Sequence, residues 1–306
     1  MYIQGGKKAF TFIEIVFVIV ILGLASSIGA RVISNAYSGY IKSVNLNTLN
    51  SSLEVVVDQI SKRLESRIKG SVIARNLAGD FLPLATSIST HNYTTIEWIG
   101  SFYEGLLGED NISGFVVPNW SGFIDINSTS TNKSSKTIHS PLSKLTNINS
   151  MITNILGSDL SVDSTNKLGF IFRTNTKDFN SSWGWNYDDF NHSSVHIVNI
   201  NSDEIFEFND TTQIENIFER YDLSWSAYAI SIEGDTDNFD LYLHYNYRPW
   251  LGERYTDGEK SILAKNVSTF RVYQGGSTIR LKVCLNDDNK TDVGSRVGFC
   301  KEKVIL

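Results

Sequence analysis

A chain of 306 residues, 41% of them hydrophobic, is long enough to bury a sizeable core, which excludes disorder throughout and allows one large or two small domains. Its net charge is −6, from 27 basic against 33 acidic residues, and no extended basic run follows the Lys7-Lys8 pair. An acidic exterior repels a phosphate backbone, so no nucleic-acid binding is expected of this chain alone.

The first element is read from residues 7 to 30, KKAFTFIEIVFVIVILGLASSIGA. From Phe10 to Ala30 the segment is long enough to cross a bilayer, which takes about 20 apolar residues. Yet it carries Glu14, and a carboxylate there costs roughly 2.5–3.5 kcal/mol on insertion scales. A secretory signal would be cut after its apolar region, where Ala25-Ser26-Ser27 is a tolerable site, but Glu14 weakens such a signal without compensation. A plain membrane anchor meets the same difficulty.

A third reading gives the carboxylate a partner. Lys8-Ala9-Phe10-Thr11-Phe12-Ile13-Glu14, followed by Ile15 to Gly23, resembles the prepilin signature of type IV pilins and type II secretion pseudopilins. The resemblance implies a short cytoplasmic leader, residues 1–9, removed by a membrane prepilin peptidase between Ala9 and Phe10. The same enzyme would then methylate the new Phe10 amine. Glu14, fifth from that amine, would serve assembly by meeting the amine of a neighbouring subunit. Ala9 stands where the family usually has Gly. Other implied partners are further pilins or pseudopilins, an inner-membrane assembly platform and membrane lipid. Lys7 and Lys8 before the apolar run favour a cytoplasmic N-terminus over the single Arg31 after it. With the resemblance this implies a single-pass bacterial inner-membrane protein whose C-terminal domain faces the periplasm or, in an extracellular filament, the cell exterior.

Residues 10–31 would form the transmembrane part of the helix and residues 32–70 its amphipathic continuation. Ile33, Tyr37, Ile41 and Val44, then Leu49, Leu53, Val56, Ile60, Leu64 and Ile68, recur mostly three or four apart. Gly39 and the Asn45 to Asn50 region are candidate weak points, and Gly70 a stop. The expected fold is α+β and pilin-like: a long N-terminal helix, membrane-spanning over its first third, packed on an antiparallel β-sheet domain.

Residues 71–306 would make an extracytoplasmic β-rich domain, with an insertion over 75–165 of helical or irregular structure; Ile148, Ile152, Ile155 and Leu156 fit one helix there. Strands are predicted at Gly169–Phe172, Val195–Val198, Tyr228–Ile232 and Asp240–Tyr245, the last two as a hairpin across 233–238. A second hairpin joins Thr269–Tyr273 to Thr278–Val283 across Gln274-Gly275-Gly276, and Cys300 to Ile305 gives the final strand. The stretch Ile262 to Val267 before Phe270-Arg271-Val272 is similar to minor pilins of the W or J type, in which a helical turn leads into a strand. In an exported body Cys284 and Cys300 would form one disulfide worth about 3 kcal/mol, the alternative being two buried thiols.

Other chemistry is weakly encoded. His192 and His196 are four apart, as helical metal ligands would be, but Val195 to Ile200 reads as a strand and no Glu-bearing zinc signature is present. Asp287-Asp288-Asn289 with Thr291 and Asp292, and the turn Asp235-Asp237-Asn238-Asp240, are acidic turns that offer calcium ligands at most, so no cofactor is expected. Trp183-Gly184-Trp185-Asn186-Tyr187 reads as core packing before it reads as a sugar-stacking platform. No phosphate loop or nucleophile elbow is present, so no enzyme is expected. The functional expectation is a minor pilin or pseudopilin, a structural subunit of an envelope-spanning filament for protein secretion, DNA uptake or adhesion. Its size fits a minor subunit, and Glu14 argues against the extreme tip. The alternative is a membrane-anchored exported enzyme or ligand-binding module with a prepilin-like leader.

Overall fold

The structure, a computed structural model, describes residues 10–86, 93–112, 114–156, 168–173, 183–187, 192–209, 216–286 and 298–306. The chain divides into two units, Met1–Ser51 and Ser52–Leu306.

One helix, α1 (Phe12–Glu65), runs unbroken through Gly39 and the Asn45 to Asn50 region. In the first unit its side chains are apolar on every side from Phe12 to Leu24, apart from Glu14, and they are exposed, Phe17 by 62% and Leu24 by 62%. A helix greasy all round suits a hydrocarbon surrounding, and α1 is long and apolar enough to span a membrane. Ile33, Tyr37, Ile41 and Val44 are exposed too.

In the second unit the same helix becomes one-sided. Leu53, Val56, Val57, Ile60 and Leu64 are buried, as the spacing predicts, and each side chain contributes about 1.5–3 kcal/mol when fully buried. The helix ends at Glu65, five residues before Gly70, which takes a left-handed φ of 94° in the turn that follows. Arg67 fixes that end. Its guanidinium donates to the carbonyls of Leu64 (2.6 Å), Ser277 (2.7 Å) and Leu306 (3.3 Å).

After α1 come β1 (Ile73–Asn76), β2 (Phe81–Pro83), β3 (Tyr93–Ile99), α2 (Tyr103–Leu107), β4 (Asp110–Ile112), β5 (Phe115–Val117), β6 (Thr137–His139) and α3 (Thr146–Leu156). Then follow β7 (Leu168–Phe172), β8 (His196–Ser202), β9 (Ile205–Phe208), β10 (Tyr221–Ser224), β11 (Ala227–Asp235), β12 (Asn238–Tyr247), β13 (Glu259–Gly275), β14 (Thr278–Asn286) and β15 (Gly298–Ile305). An eight-stranded antiparallel sheet has the order β15-β14-β13-β12-β11-β3-β1-β2, a five-stranded one β10-β7-β8-β9-β6, and β4 pairs with β5 alone. The coarse α+β expectation thus matches a long apolar helix and a large antiparallel sheet domain.

Both predicted hairpins form, with strands longer than read. β11 and β12 turn at Thr236-Asp237, and β13 and β14 at Gly276-Ser277, where Gly276 has φ 62°. The helical turn expected over Ile262 to Val267 is absent: the segment lies inside β13. Its register is irregular there, and Asn266 takes a φ of 56°, which an Asn side chain tolerates. Over 75–165, the chain first supplies the second half of β1, then β2 and β3 to the large sheet, then α2, the β4–β5 hairpin, β6 and α3. Alternation is blurred in β1 and β3 because both faces of these strands are covered.

Two apolar clusters hold the layers. One gathers Phe102, Trp120, Ile138, Ile148 and Ile152 against the five-stranded sheet, with Phe170 stacked on Tyr221 at 4.5 Å between ring centroids. The other joins the two sheets: Ile73, Ile99, Ala229 and Tyr247 meet Ile171, Trp183, Trp185 and Trp250.

Candidate functional site

The sequence motif places the candidate site at the start of α1. Ala9 lies outside the described residues. Phe10 is 77% exposed, and Thr11 precedes the first helical residue as an N-cap. Glu14 is the third residue of the helix. Its Oε2 accepts from the backbone N–H and from the hydroxyl of Thr11, both at 3.2 Å. Thr11-Phe12-Ile13-Glu14 therefore has capping-box spacing, the Glu reaching back to an orphan donor. The signal is in the sequence, but the charge of Glu14 within an apolar run hides it.

Magnitudes decide whether that cap suffices. An N-terminal cap stabilises a helix by about 0.5–2 kcal/mol, less than the roughly 2.5–3.5 kcal/mol that a carboxylate costs inside an apolar span. From Phe12 to Ala30 no other charged side chain occurs. The cap satisfies one oxygen, and among the described residues no cation reaches the charge.

Cys284 and Cys300 are directly opposed on β14 and β15 and form a disulfide, with Cα atoms 4.0 Å apart. Lys301 and Lys303 on β15 reach Glu54 and Asp58 of α1 at 2.8 and 2.9 Å. The hydrogen bond and charge of Lys303 hold the Asp58 carboxyl below its usual range. Such solvent-exposed pairs add little, so apolar packing, not these ions, fixes the helix.

The remaining candidates are structural or incomplete. Asp287 to Asp292 lies outside the described residues. In the β11–β12 turn, Asp240 Oδ1 accepts from the Asn266 N–H at 3.3 Å, and among the described residues no cluster of three His, Cys, Asp or Glu could hold a metal. His196 opens β8, buried, while His192 precedes the strand with Nδ1 3.0 Å from the Val195 carbonyl. Trp183 and Trp185 are core residues, 6% and 2% exposed, so the aromatic stretch is packing.

Two polar groupings escaped the sequence reading because their members are far apart along the chain. Glu97, fully buried, pairs with Arg75 and accepts from the Tyr247 hydroxyl at 3.0 Å; Arg75 also donates to the carbonyls of Gly79 (2.8 Å) and Trp185 (2.9 Å). Burial and the Glu97 charge raise both the Tyr247 and the Tyr187 phenols. The donors and acceptors are matched, as a structural clamp requires. Ser231 Oγ and His244 Nε2 lie 2.9 Å apart, a nucleophile–base distance. Each residue is only 5% exposed, so no substrate reaches them. A groove of about 710 Å³ beside the end of α1 is walled by Lys69, Tyr103, Phe172, Trp183 and the Arg173–Asp222 pair. Arg173 donates Nε and Nη2 to Asp222 at 2.6 and 2.5 Å, which uses both carboxylate oxygens.

No family model, no curated protein and no solved structure matches this chain.

Proposed function

We propose that the chain is a minor type IV pilin or pseudopilin, a non-enzymatic subunit of an envelope-spanning filament assembled through α1 after cleavage before Phe10. One observation carries the reading: Glu14 is the sole charged side chain from Phe12 to Ala30, on an exposed apolar helix, and its cap falls short of what the charge costs there. An amine created at Phe10 of a neighbouring copy or partner supplies the missing cation. Before cleavage that nitrogen is an uncharged amide, so processing switches the subunit to an assembling form. The leader stays in the cytoplasm and the second unit faces the periplasm, where the disulfide persists.

The test separates charge from capping. Gln at position 14 keeps an acceptor for Thr11 but loses the charge. Glu14→Gln is expected to leave cleavage and membrane insertion unchanged and to reduce crosslinking to partner pilins strongly. Undiminished crosslinking would mean that the carboxylate serves only the cap.

A further inference from the structure

Two exposed patches on the second unit are opposite in charge and alike in apolar content. The first surrounds α2 and the β4–β5 hairpin. Leu107, Phe115 and Val116 are exposed by 62, 72 and 66%, flanked by exposed Glu104 and Glu109. Phe115 and Val116 point to opposite faces of the hairpin, so either face presents an apolar side chain. Lys144 lies beside Asp110 but is paired with Asp203, and among the described residues neither glutamate forms a salt bridge.

The second patch is the solvent face of β13, β14 and β15. Register places Arg271, Lys282 and Glu302 in one row and Tyr273, Arg280 and Val304 in the next. Tyr273 is 57% and Val304 52% exposed, and Arg280 lies 3.6 Å from Glu302; among the described residues Arg271 and Lys282 form no ion pair. The opposite face of β15 carries Lys301 and Lys303, already engaged by α1. Within an acidic chain this face is locally basic.

We infer that the acidic hairpin patch of one copy docks on the basic sheet face of a second copy. A partner for the hairpin must offer cations beside exposed apolar side chains, and this chain displays that combination itself. An anionic lipid surface would be repelled by Glu104 and Glu109. The first patch lies on α2 and the separate β4–β5 ribbon and the second on β13 to β15, with no residue in common, so the contact is heterologous. A heterologous contact propagates into a ring or filament instead of closing as a symmetric dimer. The inference stands independently of N-terminal processing.

Zero-length carbodiimide coupling of carboxylates to lysines tests it on the purified full chain, with isotopically heavy and light copies mixed. Heavy–light peptide pairs joining Glu104 or Glu109 to Lys282 are expected, and they should fall several-fold between low and high salt. Arg271→Glu with Arg280→Glu, or Glu104→Lys with Glu109→Lys, should each abolish coupling between like copies. Mixing the two double variants should restore it, through the lysines introduced on one and the glutamates introduced on the other, which also shows that both still fold. Absence of heavy–light pairs in the parent, coupling unchanged by either reversal, or no recovery on mixing would overturn the proposal.

Discussion

Glu97 and Arg75 illustrate how single residues constrain this molecule. Removing one partner strands a buried charge, so Glu97→Gln is expected to cost about 3–5 kcal/mol, read as a lowered denaturation midpoint at unchanged slope. His244 sets a pH dependence. Burial, and then the charge of Lys260, depress its pKa below 6.5, while Ser231, Glu233 and the Tyr255 ring also face it. With the folded pKa lowered, the unfolded chain binds the proton more readily. The contribution is therefore complete above about pH 6.5 and declines as pH falls from there through the folded value. Stability compared between pH 7.5 and 5.5 should fall more for the parent than for His244→Gln; equal falls would remove His244 as the cause. Neither residue was legible in the sequence, since Glu97 meets partners 22 and 150 positions away and Ser231 is found only through strand register.

Elements were legible where their signal is local. The helix face of Leu53, Val56, Ile60 and Leu64 follows from spacing alone, and the two hairpins from turn chemistry between alternating runs. Strands β1 and β3 were missed because they are covered on both faces, and the segment around Asn266 because a bulged strand and a helical turn share polar, turn-forming residues. At the C-terminal edge the disulfide ties β15 to β14, closing a separation of 16 residues. Replacing both cysteines by serine should lower the stability of the second unit by about 3 kcal/mol and leave membrane insertion intact. Non-reducing peptide mapping should recover Cys284 and Cys300 as one linked pair; free thiols in exported protein would contradict the pairing.

In the whole molecule an apolar helix that carries one carboxylate in its first turn runs into a large antiparallel sheet domain bearing two patches of opposite charge. The proposed N-terminal motif can be read from the sequence because it is written in consecutive residues, Ala9 to Glu14. The docking patches were not, because Arg271, Arg280 and Lys282 become neighbours only through strand register. Since the proposed cut precedes the apolar helix, the mature chain should remain in the membrane fraction, and a bulky residue in place of Ala9 should block its maturation. The most direct measurement is the mass of the mature N-terminal peptide from the membrane-associated protein. The account predicts a chain beginning at Phe10 with a methylated amine; a chain beginning at Ile28, or an intact Met1, would contradict it.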